Sequence, residues 1–357
     1  MGPVVNFESD FFQGKRVFVT GDSGFKGSWL SLLLWWSGAE VTGYSLPPYT
    51  QEDHFVSTGL DGKIHHVDGD LGNFEKLSSV FREAKPEIVF HLAAQPLVRL
   101  SYKEPMKTFQ TNIQGSVNLL DCVRQCDSVR SLVYVTSDKC YKNKEWIWGY
   151  RETDELGGHD PYSASKAAAE IVFESYRLSY FQSREGLGSA SVRAGNVIGG
   201  GDWSEDRIIP DCIRSLEAGM PINIRNPGAT RPWQHVLEPV VGYMQLSKAL
   251  FSEPARFSGT WNIGPSHGSH KSVLELATAV VQEWGSGSLS IAPSMGAPHE
   301  AGFLHLNCDK IRNYLGWVPV WGFQETIHET VRWYKAENRA LVSMNQIESY
   351  LKAKERL

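Results

Sequence analysis

Nothing in the chain is long and apolar enough to sit across a membrane. The greasiest run, Trp29-Leu-Ser-Leu-Leu-Leu-Trp-Trp36, has eight residues, against the roughly 20 that a spanning helix needs. A basic surplus is also missing. There are 35 Lys and Arg against 40 Asp and Glu, a formal charge of −5. Binders of nucleic acid or anionic membrane normally show the opposite balance, so no nucleic acid and no membrane is expected as a partner. Cysteine is scarce. Five residues with no C-x-x-C pair suggest neither a disulfide framework nor a zinc ribbon. The 11 histidines are scattered, with no H-E-x-x-H spacing, so no metal is expected. Internal repeats and low-complexity tracts are absent. The opening MGPVVNFESD has no basic stretch leading into an apolar one, so it does not read as a signal peptide. Asn6 stands where a myristoylation signal needs Ser or Thr. A cytoplasmic protein of a reducing compartment is expected.

What the chain does have is material for a core: 41% of its 357 residues are apolar and 21% charged, which excludes intrinsic disorder. Short β-branched runs alternate with helical stretches. Strands are predicted at Arg16–Thr20, Glu40–Ser45, Lys63–Val67, Glu87–His91, Leu132–Thr136 and Ala190–Ala194. Helices are predicted between them at Phe25–Ser37, Asn73–Lys85, Pro105–Gln125 and Tyr162–Phe181. This alternation predicts an α/β, Rossmann-like, doubly wound parallel sheet. Beyond Gly195 glycine and proline loosen the rhythm. Helices near Arg207–Glu217, Leu237–Phe251 and Ser272–Glu283 alternate with short strands at Pro221–Arg225 and Thr260–Ile263. Two domains are expected: residues 1–195, with elements returning from the C-terminal half, and 196–357 as a smaller substrate-binding lobe.

Ligands on such sheets bind beyond the C-terminal strand ends. The first strand runs into Thr20-Gly-Asp-Ser-Gly-Phe-Lys-Gly27, and a helix follows. Glycines there allow a tight turn and close approach of a pyrophosphate. The helix start offers free N–H groups and a positive dipole end. Gly21, Ser23, Gly24, Phe25, Lys26 and Gly27 are therefore candidates for binding a dinucleotide. Asp22 inside the loop must point away from phosphate or it would repel it. No acid closes the second strand at Gly43-Tyr-Ser-Leu46, and no Arg does either, which favours NAD over NADP. Asp70 and Leu71 follow the third strand, where they would meet the adenine. Leu92, Ala93, Ala94 and Gln95 follow the fourth, where small residues let backbone reach ribose and phosphate.

The fifth strand ends in Val135-Thr-Ser-Asp-Lys-Cys-Tyr141, a lip of hydroxyl, carboxylate and amine. Further on comes Tyr162-Ser-Ala-Ser-Lys166. Residues four apart share a helical face. An ammonium about 4 Å from a phenolate, at an effective dielectric near 20, is worth on the order of 4 kcal/mol. Such a charge brings a phenol from about 10 down to about 7 and fits it for proton transfer.

These residues together make the chain resemble the extended short-chain dehydrogenase/reductase family, which acts on nucleotide sugars. The glycine loop, the Ser137 turn and the Tyr162/Lys166 pair are its family-wide motifs. Longer strings resemble its CDP-D-glucose 4,6-dehydrating branch: Gly24-Phe-Lys-Gly-Ser-Trp-Leu30, Ala94-Gln-Pro-Leu-Val-Arg99, Thr136-Ser-Asp-Lys-Cys-Tyr141, Val192-Arg-Ala-Gly-Asn-Val-Ile-Gly-Gly-Gly-Asp-Trp203 and Arg231-Pro-Trp-Gln-His-Val236. The resemblance implies a lyase that oxidises C4, dehydrates C5/C6 and returns the hydride to C6 through tightly held NAD. It implies Tyr162 as base for the C4 hydroxyl, Lys166 on the nicotinamide ribose, Ser137 on the C4 oxygen and Asn112 as the helix-kinking asparagine that helps position the lysine. Asp138 would be the acid for the C6 hydroxyl. Lys139 stands where other sugar-nucleotide dehydratases carry a Glu base, so it is either the C5 base or an enolate stabiliser. Asn196, Arg207 and Arg231 would hold the substrate diphosphate, and Trp203 and Trp233 would only pack. A homodimer or homotetramer built on Pro105–Gln125 and Tyr162–Phe181 is implied, as is deoxysugar supply for a bacterial surface polysaccharide. A 4-epimerase, a dehydratase for another nucleotide and a catalytically dead NAD sensor are the rival readings.

Overall fold

The computed structural model describes residues 9–291 and 303–357. The amino-terminal stretch through Glu8 lies outside them. Seven strands form one parallel sheet. Their spatial order is Gly259–Ile263, Gly188–Ala194, Ser131–Val135, Ile88–His91, Arg16–Thr20, Glu40–Ser45, His65–Asp68. The central strands are buried on both faces, so they show no alternation of buried and exposed residues. The chain reverses direction across the sheet between the first and fourth strands. Both end at the same level, with Thr20 paired to His91. A crevice opens above that point, as the topology requires.

The strand Gly259–Ile263 pairs with Gly188–Ala194 and completes the sheet from the C-terminal half. The Leu237–Ser252 helix supplies buried residues to the same core as the first strand. The remaining C-terminal pieces form three two-stranded ladders and the helices Ile208–Glu217 and Val273–Trp284. The latter helix starts with a full capping box between Ser272 and Glu275. The third strand begins two residues later than expected, at His65.

Two expected helices depart from a straight course. Pro105–Gln125 is broken into Pro105–Phe109 and Gly115–Arg124 by a π-helical turn at Gln110–Gln114. Asn112 lies in that turn and is buried. Its amide accepts from Gln95 N at 2.7 Å and donates to Gln95 O at 3.1 Å and Ser165 Oγ at 2.9 Å. The wider turn aims this side chain inward, as π-bulges at functional sites commonly do. The Tyr162 helix runs Pro161–Tyr176 and ends in a second π turn, Arg177–Phe181.

Two terminal helices, Phe323–Lys335 and Arg339–Lys354, close the far side. They are held by a buried acid, Glu238. Its Oε1 accepts from Val320 N at 3.0 Å and Trp321 N at 2.7 Å, and Tyr350 Oη donates to Oε2 at 2.6 Å. Burial outweighs these donors and pushes the carboxyl up to about 7. An unfolded Glu titrates near 4.3. The folded state therefore binds the extra proton. That stabilisation is complete below the unfolded value and is lost as pH rises through about 7. Glu238→Gln keeps both N–H bonds on its oxygen and can donate its amide to Tyr350. It should raise the melting temperature at pH 8.5, through a stabilisation on the order of 4 kcal/mol, and leave it unchanged at pH 4.5. Thermal unfolding at both pH values checks this; a pH-independent difference would contradict it.

Candidate active site

The first strand turns into its helix at a loop too tight for side chains. A Cβ on Gly27 would lie 1.9 Å from Gly21 O, so helix and strand meet backbone to backbone. A Cβ on Gly24 would meet only that same oxygen, at 3.3 Å. Gly24 caps the Phe25–Trp36 helix with no side-chain bond. The helix start therefore faces open space, which suits a pyrophosphate. Ser23 is held by the second strand: Ser23 N donates to Ser45 Oγ at 3.2 Å, and Ser23 Oγ to Leu46 O at 2.7 Å. Asp22 points beneath the loop, fully buried. His66 Nδ1 lies 2.6 Å from its Oδ2, and the loop acid is thus turned away from the phosphate side.

Asp70 sits exposed after the third strand and accepts from Gly72 N at 2.7 Å. Leu71 is buried, and Asn118 donates to its carbonyl at 2.7 Å. Leu92, Ala93 and Ala94 are partly exposed on the crevice side. The Gln95 side chain is turned inward, on Thr108 Oγ1 at 2.8 Å and Leu97 N.

At the end of the fifth strand, Ser137 Oγ donates to Asp138 Oδ1 at 3.0 Å and accepts from Lys139 N at 3.2 Å. Asp138 is 3% exposed, and its Oδ2 is buried without a partner. Burial raises its pKa; Lys139, the Ser137 hydroxyl and Arg231 pull the other way. Across the cleft, Asp160 caps the Pro161–Tyr176 helix by accepting from Ser163 N at 2.9 Å. This fixes where Tyr162 enters. Tyr162 and Lys166 are both buried, on one face of that helix.

The pair does not titrate as the i,i+4 spacing suggested. Burial pushes the Tyr162 phenol up to about 12, against the pull of Ser137 and Arg207. Lys166 falls to about 7, by burial first and then by the nearby Lys26 ammonium. Lys26 itself falls to about 8, from burial and Arg207. Desolvation is the largest cause of both shifts. The spacing carried the attraction and no information on depth. Three cations meeting at one point also escaped the sequence reading.

Ser137, Asp138, Lys139, Tyr162, Lys26, Asn196, Arg207 and Arg231 line one cleft of about 290 Å³. Arg207 Nη1 donates to Asp202 Oδ2 at 2.7 Å and Arg231 Nη1 to Thr230 O at 3.0 Å. Lys166 is not among the residues that line the cleft. Trp203 and Trp233 are buried, with their indole N–H groups on Glu52 O and Lys271 O. Arg99, Asp206 and Glu205, which sequence reasoning did not place in the site, also line the cleft. A larger hollow of about 640 Å³ lies at the opposite ends of the strands, around Arg16, Glu40 and Lys63. No catalytic set converges there. Among the described residues no three metal-ligating side chains come together, and no helix is long and apolar enough to cross a membrane.

Fold and site define a class: a Rossmann-type protein with a buried Tyr–Lys pair facing a Ser-Asp-Lys lip. Comparison with known proteins narrows it. Residues 18–330 match the family described as GDP-mannose 4,6 dehydratase. A CDP-glucose 4,6-dehydratase of Salmonella typhimurium is 48% identical over 354 residues, 97% of this chain and 99% of that one. The Thermus thermophilus UDP-glucose 4-epimerase, solved in complex with NAD, superposes with a TM-score of 0.76 at 29% identity, over 90% of this chain and 99% of the other. The Bacillus anthracis dTDP-glucose 4,6-dehydratase, also with NAD, shares the fold with a TM-score of 0.75 at 22% identity, over 91% and 97% of the two chains. The chain belongs to the GDP-mannose 4,6 dehydratase family.

Proposed function

We infer that this chain is an NAD-dependent lyase that converts CDP-D-glucose to CDP-4-keto-6-deoxy-D-glucose and water. The observation that carries the reading is Asp138. It is a buried acid with raised pKa and an unpartnered oxygen, beside Ser137 in the cleft that Tyr162 faces. An epimerase leaves the C6 hydroxyl in place and needs no acid to expel it. The 48% identical relative names the nucleotide.

The glycine loop fits the cofactor, since the helix start is uncapped and the space over Gly24 is open. Gly21 and Ser23 to Gly27 would hold the pyrophosphate, Asp70 and Leu71 the adenine, and Leu92 to Gln95 the ribose and phosphates. Asn112, Tyr162 and Lys166 would stand at the nicotinamide end. When bound, NAD supplies the hydride acceptor that later serves as donor.

The chain's own groups move the protons. Once ionised, Tyr162 Oη takes the C4 hydroxyl proton, while Ser137 holds that oxygen. The Ser137 hydroxyl and Arg207 oppose the burial that keeps the phenol protonated. A ketone at C4 makes the C5 proton acidic, and Lys139 either removes it or steadies the enolate. Asp138 gives its proton to the departing C6 hydroxyl. Asn196, Arg207 and Arg231 hold the diphosphate. Residues 1–195 would thus serve the cofactor and 196–357 mainly the nucleotide sugar. Exposed Met106, Ile171 and Leu178, on the two helices noted above, support a homodimer or homotetramer.

Incubation with NAD and CDP-, dTDP-, GDP- or UDP-glucose tests the reading. The 4-keto product should form at least about tenfold faster from CDP-glucose, a preference worth about 1.4 kcal/mol. C4 epimerisation without loss of water would reject it.

A further inference from the structure

We propose that Glu170 is a positioning residue for the reaction, a buried carboxylate that holds the helix of Tyr162 and Lys166 against both flanks of the Ser137–Asp138 lip. The proposal rests on the reading of Tyr162, Ser137 and Asp138 as the catalytic set. Glu170 stands on the Pro161–Tyr176 helix. It follows Lys166 by four residues and Tyr162 by eight, so all three share one helical face. Its side chain is 2% exposed and does not line the cleft. The mechanism gives it no proton to carry.

Three ties converge on this carboxylate. Thr136 Oγ1 donates to Oε1. Ser191 Oγ donates to Oε2 at 2.9 Å, and Arg193 Nη2 to the same oxygen at 2.8 Å. Thr136 lies between the Ser131–Val135 strand and Ser137. Ser191 and Arg193 belong to the Gly188–Ala194 strand, which leads to Asn196. Arg193 carries the grip further. Its guanidinium lies 4.7 Å from the centroid of the Tyr141 ring, and Tyr141 Oη donates to Asn262 Oδ1 at 2.8 Å. The lip runs from Ser137 to Cys140, with Thr136 on one flank and Tyr141 on the other. One ion pair therefore fixes both flanks and the helix across from them.

Stability alone accounts poorly for this pair. Both side chains are almost fully desolvated, and a buried ion pair seldom adds stability over apolar packing of the same volume. Arg193 Nε is also buried without a partner. What the network supplies is geometry, and a misplacement of about 1 Å between reacting groups costs about a hundredfold in rate. The carboxylate also acts along its own helix. Burial lowers the Lys166 pKa, the Lys26 ammonium adds to the fall, and Glu170 opposes both.

The test is steady-state turnover of CDP-glucose, read beside melting temperature and calorimetric titration with NAD and CDP. Thr136→Val removes the hydroxyl. It leaves in place the Glu170–Arg193 pair and the bond from Thr136 N to Val192 O at 2.8 Å. It should lower kcat about tenfold to a hundredfold, with KM and both titrations within about threefold of wild type. Thr136→Ser, which keeps the hydroxyl, should recover most of the loss. Glu170→Gln keeps the shape without the charge and should lower kcat at least as far. In the double variant Thr136→Val/Glu170→Gln the losses should not multiply, because both act through one contact. Glu170→Gln strands Arg193 without its counter-charge; if it does not fold, the two Thr136 variants decide the matter alone. A purely structural tie would lower the melting temperature and leave kcat of the folded protein unchanged, and that result overturns the proposal. So do equal losses in Thr136→Val and Thr136→Ser, or losses that multiply in the double variant. Should the wild type form no 4-keto sugar, the catalytic reading itself fails and takes the proposal with it.

Discussion

A Tyr162→Phe variant should fold, bind NAD and turn over CDP-glucose at about a thousandth of the normal rate or less, as expected when a positioned proton acceptor is removed. The phenol is buried and points into the cleft beside the Ser137 hydroxyl, and its Oη makes no hydrogen bond that holds the fold together. Its backbone N–H keeps its bond to Ser101 Oγ at 3.1 Å in the variant. The change deletes one oxygen and leaves a small polar void, so stability should alter by less than about 1 kcal/mol. Without that oxygen the C4 hydroxyl loses the proton acceptor that the proposed mechanism assigns to it. Steady-state turnover together with NAD titration measures both halves. A variant that kept more than a tenth of the normal rate would remove Tyr162 from the role.

Much of this arrangement was legible from residue order. Parallel strands buried on both faces write themselves as β-branched runs, and the seven-stranded sheet followed from six of them. The seventh, Gly259–Ile263, reads as a strand, though nothing local says which sheet it joins. The glycine loop was legible because a Cβ at position 27 would lie 1.9 Å from a backbone oxygen, which leaves no alternative residue there. The break at Gln110–Gln114 was implied only by the resemblance, through Asn112 as a helix-kinking asparagine. Its cause is a tertiary bond from Asn112 to Ser165, 53 residues away, and helix periodicity carries no trace of such a partner. The direction of the Tyr162 titration was lost for a related reason. Spacing reports which charges are neighbours, and desolvation depends on what covers them. Arg99 and Asp206 were invisible as a pair because each looks like an ordinary surface charge until the two walls face each other.

Asp138→Asn gives the second large effect and separates acid catalysis from mere structure. The side chains are isosteric. An Asn there keeps an oxygen for the Ser137 hydroxyl, now at 3.0 Å, and places an amide where the unpartnered Oδ2 stood. What disappears is a dissociable proton. Burial raises the Asp138 carboxyl above its ordinary range, so it holds that proton at higher pH than a surface Asp does. Activity that depends on the acid form must fall as pH rises through the raised value, and the variant must lack that limb. Hydroxide is a poor leaving group and needs the proton, so the loss on CDP-glucose should be about a hundredfold to ten-thousandfold. Fluoride needs none. A CDP-glucose carrying fluorine in place of the C6 hydroxyl should be processed by wild type and variant within a few-fold of each other. The ratio of the two losses is the diagnostic quantity, because general disruption of the cleft would slow both substrates alike. Equal losses would make Asp138 a structural partner of Ser137. A selective loss on the hydroxyl substrate assigns it the proton that leaves with C6 oxygen.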